Sequence, residues 1–467
     1  MISRGSAPHT CTNPINHDDH RQCTASFIAR FITHVLHTQI DIKPREIRSR
    51  INAKFNITPS YKKAWTARGK AIKIIFGGWT VSYKILLRYL DTLCLTNPGT
   101  VYDIHTIDSN RFQRLFWAFG PSIEGWANCR PVLSLDGTFL LGRFRGTMLI
   151  AVGIDANNGL FPLAFAIVES ECIESWEWFL NRLKVMLLII PSRPDLCIIS
   201  DKHAGLIKGV STELPWARHR HCLRHLRENY KKDILCDKMY WAGSASDFAT
   251  FSQQMESIRT IDQRAYDWLV TRDVEKWTLL YDYGARYGTM TTNASESFNG
   301  VLKRSRGLPI QALVSATYYH CIAMFLEREE DNIAHKIVLT DNEGNCSCHN
   351  IVLYHIPCAH LIAILGLRRV AHEQFISDYC TISSYKSTYT PCFHAIPDIT
   401  CWQPLNPARG IIELLPPNLI RRSGRPQSRR YKNTMNETVD RRNTKCGICK
   451  EIGHYRGTCP RNPENIR

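Results

Sequence analysis

Apolar and polar positions change period several times along this chain. From Ala25 to Val101, apolar residues recur every three or four positions, as in SFIARFITHVLHTQI and SYKKAWTARGKAIKIIFGGW. That spacing predicts several short helices, one with a basic face. Beyond Pro131 the period shortens. Val132-Leu133-Ser134-Leu135 is a bounded apolar run that suits a buried strand and stops at Asp136. Met148 to Ile154 and Leu163 to Val168 are β-prone runs separated by Asp155-Ala-Asn-Asn-Gly159, a hairpin-turn signal. Three antiparallel strands are expected. Glu174 to Ile190 then has helical spacing, and Leu196 to Ile199 predicts a fourth strand that delivers Asp201 after the crossover. Residues Lys232 to Tyr287 read as largely helical, with Trp241, Trp268 and Trp277 spaced among charges. Thr292 or Asn293 can cap a further helix that carries Glu296 in its first turn.

Strand, hairpin, strand, helix, strand is the RNase H-like order, an α/β arrangement whose first and fourth strands lie side by side. It predicts that Asp136 and Asp201 meet at one sheet edge, where paired carboxylates suit Mg²⁺ or Mn²⁺. Taken alone, Glu296 reads as an acid that complements the helix macrodipole.

Composition narrows the class. A chain of 467 residues suggests about three domains. Its net charge of +17 and pI near 9.2 imply a polyanionic partner, with nucleic acid as the default. A membrane partner fits poorly, because the longest clean apolar run, Val185 to Ile190, falls far short of the ~20 residues a spanning helix needs. No secretory h-region opens the chain. Eighteen cysteines, several in metal-ligand spacing with histidine, point to a reducing compartment and zinc.

Cys346-x-Cys348 and Cys358-x-His360 offer three thiolates and one imidazole, enough for a closed tetrahedral structural site. A hairpin would supply the first pair and the start of a helix, His360 to Leu367, the second; His349 and His355 lie close in sequence. Cys446-x2-Cys449-x4-His454-x4-Cys459 has the spacing of a CCHC zinc knuckle, which metal ligation must fold. Cys222-x2-His225 is only half a zinc site. The pair reads first as a packed, hydrogen-bonded element of the core, and alternatively as ligands that recruit His219, His221 or another donor. From Leu415 the chain turns proline-rich and then basic, which predicts a disordered linker over 415–445. Within it, Gly424-Arg425-Pro426 reads as a generic basic tail and is also similar to an AT-hook.

Four blocks carry a family resemblance: DGTF from Asp136, SDKHAGL from Ser200, HRHCLRHLRENY from His219 and NASESFNGVLKRSRGLP from Asn293. In this order they resemble the transposases of Mutator-like DNA elements, a DDE-type family, and the likeness runs from about His9 to the C-terminus. The resemblance implies that Asp136, Asp201 and Glu296, separated by 65 and 95 residues, form a metal-binding triad. It implies an RNase H-like core over 125–315 with a helical insertion at about 232–287, a SWIM zinc finger over 335–372 and a CCHC knuckle over 446–459. It also implies a DNA-contacting helical region over 25–105, where Lys62, Lys63, Arg68, Lys70 and Lys73 interleave with Tyr61 and Trp65. His9-Thr-Cys11 resembles the closing ligands of a WRKY-like finger whose opening cysteines are missing, so residues 1–24 read as a remnant unless Cys23, His17 or His20 substitutes. The expected activity is cleavage of element ends and strand transfer into target DNA, in the nucleus, by a homo-oligomeric synaptic complex. A transposase-derived DNA-binding regulator and a defective element copy are the alternatives; a retroviral-type nucleic-acid chaperone would not explain the DGTF and NASESFNG blocks.

Overall fold

The computed structural model describes residues 19–39, 42–188, 193–227, 233–334, 350–358, 371–405 and 413–418, with a few shorter pieces. Three N-terminal helices, α1 (Ala25–Thr38), α2 (Pro44–Phe55) and α3 (Tyr61–Phe76), pack on one another. Each starts where its sequence provides for it. Thr24 and Ser60 accept hydrogen bonds from the first turns of α1 and α3, and Pro44 occupies the position in α2 where a missing N–H costs nothing. Ile28, Ile32 and Leu36 meet Ile47, Ile51, Ala64, Ala67 and Ala71 in the interior, one stripe from each helix. Cys23, a possible substitute zinc ligand on sequence grounds, is buried in this same core, and burial pushes its thiol pKa up. Two further helices, α4 (Trp79–Lys84) and α5 (Leu86–Thr96), lead into the sheet.

The sheet has seven strands: β1 (Val101–Ile107), β2 (Arg111–Ala118), β3 (Arg130–Phe139), β4 (Thr147–Ile154), β5 (Leu160–Val168), β6 (Cys197–Ser200) and β7 (Arg218–His221). Their order across the sheet is β1-β2-β5-β4-β3-β6-β7. The expected antiparallel trio is β3, β4 and β5, and β6 joins β3 in parallel through Val132↔Cys197 and Ser134↔Ile199. Three features differ from the sequence reading. The sheet begins at Val101, well before residue 125, because the β1–β2 hairpin docks on β5. The polar segment Arg218–His221 forms a parallel edge strand on β6. Leu415, expected in a linker, bridges Arg111 and exchanges backbone hydrogen bonds with Asn110 and Phe112 at 2.9 Å.

Helices cover both faces. One face packs on α7 (Ile173–Leu187) and α8 (Ala204–Glu213), through Trp176, Phe179, Leu183 and Val210 against Leu133, Leu149 and Ala164. The other packs on α13 (Asn293–Val301) and α14 (Ile310–Ala334), through Phe298, Leu313 and Tyr318 against Trp117, Ile150 and Phe165. Even and odd positions of β4 thus serve opposite layers, as the pleat requires. A short helix, α6 (Gly120–Trp126), closes one end. Between the layers' last elements, α9 (Leu223–Arg227), α10 (Asp233–Ser244), α11 (Phe248–Ile261) and α12 (Gln263–Val270) gather around their own core of Leu226, Met239, Phe251, Ile258 and Trp277. Among the described residues, no helix is long and apolar enough to cross a membrane.

Packing in the sheet is close at Gly153 of β4, where a Cβ would stand 2.2 Å from the ring of the fully buried Trp126. Gly153→Ala is expected to cost about 1–3 kcal/mol of stability, seen as a lower urea midpoint at unchanged slope.

Candidate metal and nucleic-acid site

The parallel ladder of β3 and β6 ends at Ser134↔Ile199, and Asp136 and Asp201 each lie two residues beyond that last pair. Both carboxylates are buried. Asp136 Oδ1 accepts from Gly137 N at 2.9 Å and Oδ2 from Asn299 Nδ2 at 2.8 Å. Asp201 Oδ1 accepts from His203 N at 3.0 Å, which shapes the turn into α8. The third acid arrives from the opposite side. On α13, Ser295 and Asn299 are four residues apart and therefore share a face, which they turn to β3: Ser295 meets Ser134 at 2.7 Å and Asn299 meets Asp136.

Glu296 lies about 100° round that helix and addresses different partners. Arg224 Nη1 donates to Glu296 Oε2, Thr292 Oγ1 donates to Oε1 at 3.2 Å, and His225 Nε2 stands 3.6 Å from Oε1. Thr292 occupies the N-cap position expected of it, but makes no side-chain cap. Its backbone N donates to Cys222 Sγ at 3.2 Å, and its hydroxyl, whose single proton serves either Glu296 Oε1 or this sulfur, lies 3.3 Å from Sγ. Among the described residues, the acid, thiol and imidazole side chains close enough for one metal ion are Cys222, His225 and Glu296. Burial alone would raise the Cys222 thiol pKa, but the hydrogen bond and charge of His225 hold it below its usual value. Burial would likewise lower His225; Cys222, Asp201 and Glu296 together outweigh that and push it up to about 9. The other two histidines of the block sit on β7 and take a different part. His219 bonds Ser200 Oγ at 2.8 Å, and burial holds His219 and His221 down at about 4 and about 2.

Cations rim these acids. Lys202, half-buried beside Asp201, is pushed down to about 8 by burial and by Arg272 and Lys276 of the helical insertion. Arg306 donates to Thr138 on β3; burial lowers its pKa, and the charge of Asp136 offsets that only in part. Lys303 and Arg304 are exposed just after α13. Sequence reasoning did not single out Asn299, Arg224, Lys202, Arg272, Lys276 or Arg306. For Asn299 a signal existed: it lies three residues after Glu296 on a predicted helix.

The basic face proposed for α3 divides. Lys62 and Lys73 are exposed, as are Tyr61 and Trp65, the last of them 63% exposed. Lys63 instead pairs with Asp19 at 2.7 Å, and Lys70 donates to Ser26 at 2.8 Å. Arg68 is partly buried. Of the zinc candidates, Cys358 is buried beside Leu361 and Leu365, and Cys449 is half-buried. His9, Cys11, His17, Cys346, Cys348, His360, Arg425, Cys446, His454 and Cys459 lie outside the described residues.

Residues 132–229 match the MULE transposase domain. That span holds β3 to β7 with Asp136, Asp201, Cys222 and His225, whereas Glu296 lies beyond it. Residues 335–368 match the SWIM zinc finger, which supports zinc binding there. The chain is 23% identical over 232 residues to Protein FAR1-RELATED SEQUENCE 5 of Arabidopsis thaliana, covering 46% of this chain and 29% of that protein. Protein FAR1-RELATED SEQUENCE 6 of the same plant is 24% identical over 141 residues, covering 30% of this chain and 20% of its own length. The chain therefore spans less than a third of each of these relatives. The MULE match and the SWIM match fall in the order the sequence blocks suggested.

Proposed function

We propose that this chain is a metal-dependent DNA transposase of the Mutator-like type, with an RNase H-like core, that cuts element ends and joins them to target DNA in the nucleus. The observation that supports the reading is that two buried carboxylates, Asp136 and Asp201, each follow the last pair of the parallel β3–β6 ladder by two residues. These two hard oxygen donors fit Mg²⁺ or Mn²⁺. Glu296 would serve as the third ligand once Arg224 releases it, since its helix α13 is packed on β3 through Ser295 and Asn299. A divalent ion held there would lower the pKa of an attacking water and offset charge on the leaving oxygen. The protein's own side chains do the rest. Asn299 and the Gly137 N–H fix the two oxygens of Asp136, while Lys202, Lys303, Arg304 and Arg306 give the DNA backbone a cationic path past the acids.

Zinc would then be structural. Cys346, Cys348, Cys358 and His360 supply a closed ligand set in the SWIM match, and Cys446, Cys449, His454 and Cys459 supply another in a CCHC knuckle. On α3, Lys62 and Lys73 would contact phosphate. Replacing both by alanine is expected to reduce the log–log salt slope of DNA binding by about two, measured by titration across salt concentrations. A synaptic homo-oligomer on paired ends completes this reading.

A second reading, a DNA-binding regulator without catalysis, is favoured by one observation: Glu296 is engaged by Arg224 and His225. The deciding assay incubates purified full-length chain and Mn²⁺ with labelled duplexes bearing the inverted repeats that flank its coding sequence. Nicks at the repeat ends support the transposase; tight binding with intact DNA supports the regulator.

A further inference from the structure

Cys222 Sγ, a ring nitrogen of His225 and a carboxylate oxygen of Glu296 lie within 4.8 Å of one another. The geometry points to a zinc site made of these three side chains, with its fourth position taken by water or a substrate oxygen. Tetrahedral zinc with bonds of about 2.0–2.3 Å sets its ligands about 3.3–3.8 Å apart. His225 Nε2 and Glu296 Oε1 are already separated by 3.6 Å. The other two pairs lie within 4.8 Å, so closing the site takes about an ångström of movement.

The surroundings match the ion as well as the spacing does. A zinc-bound sulfur is a thiolate, which only accepts hydrogen bonds: Cys222 Sγ receives one from the N–H of Thr292, and the Thr292 hydroxyl, whose one proton goes either to Sγ or to Glu296 Oε1, lies 3.3 Å from it. Arg224 takes the far oxygen of Glu296 and leaves Oε1 turned toward the imidazole. One thiolate and one carboxylate neutralise a divalent cation. A sulfur and an imidazole nitrogen select zinc over Mg²⁺ or Ca²⁺, which prefer oxygen alone. The three ligands also come from three places: Cys222 follows β7, His225 is on α9 and Glu296 on α13. The ion would tie the edge of the sheet and the start of the insertion to the helix that crosses β3. Because Glu296 is also the third acid of the transposase reading, zinc here would hold that carboxylate away from Asp136 and Asp201. The site itself rests on the cluster; zinc-bound and cutting are then alternative states of one chain, because both need Glu296.

The test is cadmium-113 NMR on the metal-exchanged full-length chain. The SWIM and knuckle ligand sets each contain three thiolates, whereas this site contains one, so its signal falls well upfield of theirs. The expected spectrum has such a signal in the wild type, and the signal shifts or is lost in E296Q while the thiolate-rich signals persist. Zinc measured by mass spectrometry is expected to fall by one equivalent per chain in C222S. Cys222 is buried, and its replacement can unfold the protein, so the wild-type spectrum and E296Q decide the outcome. A wild-type spectrum without the upfield signal, or one that E296Q leaves unchanged, would overturn the site.

Discussion

Asp201→Asn is expected to reduce Mn²⁺-dependent nicking about a thousandfold or more while leaving DNA binding in place. A carboxylate that holds a catalytic cation contributes through charge, and several kcal/mol of transition-state stabilisation is lost with it; each 1.36 kcal/mol is about tenfold in rate. The fold should tolerate the change. Asparagine keeps the oxygen that accepts from His203 N, so the turn into α8 remains shaped as before. Asp136→Asn is expected to behave alike, since its oxygen facing Gly137 N can also be retained and Asn299 can turn its amide oxygen toward the new Nδ2. The measurement is single-turnover cleavage of labelled ends, with circular dichroism and a binding titration beside it. Nicking within tenfold of wild type in either variant would remove the two aspartates from the chemistry.

Asp282→Ala is expected to cost about 3–5 kcal/mol of unfolding free energy, the range found when one partner of a buried ion pair is removed. Asp282 and Arg286 are fully buried, and Arg220 nearly so. Asp282 Oδ1 accepts from Arg220 Nε at 2.7 Å and Arg286 Nε at 3.1 Å, and Oδ2 accepts from Arg286 N at 2.7 Å. Without that carboxylate, two guanidinium groups are left buried around an uncompensated gap. Arg286 also donates to the carbonyls of His221 and Lys276, so the cluster joins β7 to the chain that returns from the insertion. Urea unfolding followed by tryptophan fluorescence reads the loss. A change under 1 kcal/mol would mean that water already reaches these charges.

How much could be read in advance varies from element to element. β3, β4 and β5 were legible because strands buried on both faces become continuous apolar runs, which few other elements produce. β7 was not. Its sequence, Arg-His-Arg-His, carries no apolar signal and is a strand because it pairs with β6 and two of its side chains find particular partners: Arg220 finds Asp282, and His219 finds Ser200. The start of α13 was legible from Thr292 and Asn293, but the use made of Thr292 was not, since its hydroxyl turns to Cys222 and Glu296. Similarly, five basic residues on α3 looked equivalent along the chain. Contacts with Asp19 and Ser26, more than forty residues away, engage two of them.

Glu296 was picked out only by the resemblance of its NASESFNG block to Mutator-like transposases; by itself, the order of apolar runs and turn signals determined that this chain builds a central sheet with a helix-rich insertion and that Asp136 and Asp201 end two of its apolar runs. Those features are local, set by periodicities of two and 3.6 residues and by side chains that begin or end an element. Tertiary structure alone decided that Glu296 faces Arg224, Cys222 and His225, while Asn299, three residues on, reaches Asp136. The physical reason is rotation. Three residues along a helix shift direction by about 60°, and which partner each side chain meets depends on how the helix is laid across the sheet, a choice made by packing between segments far apart in the chain.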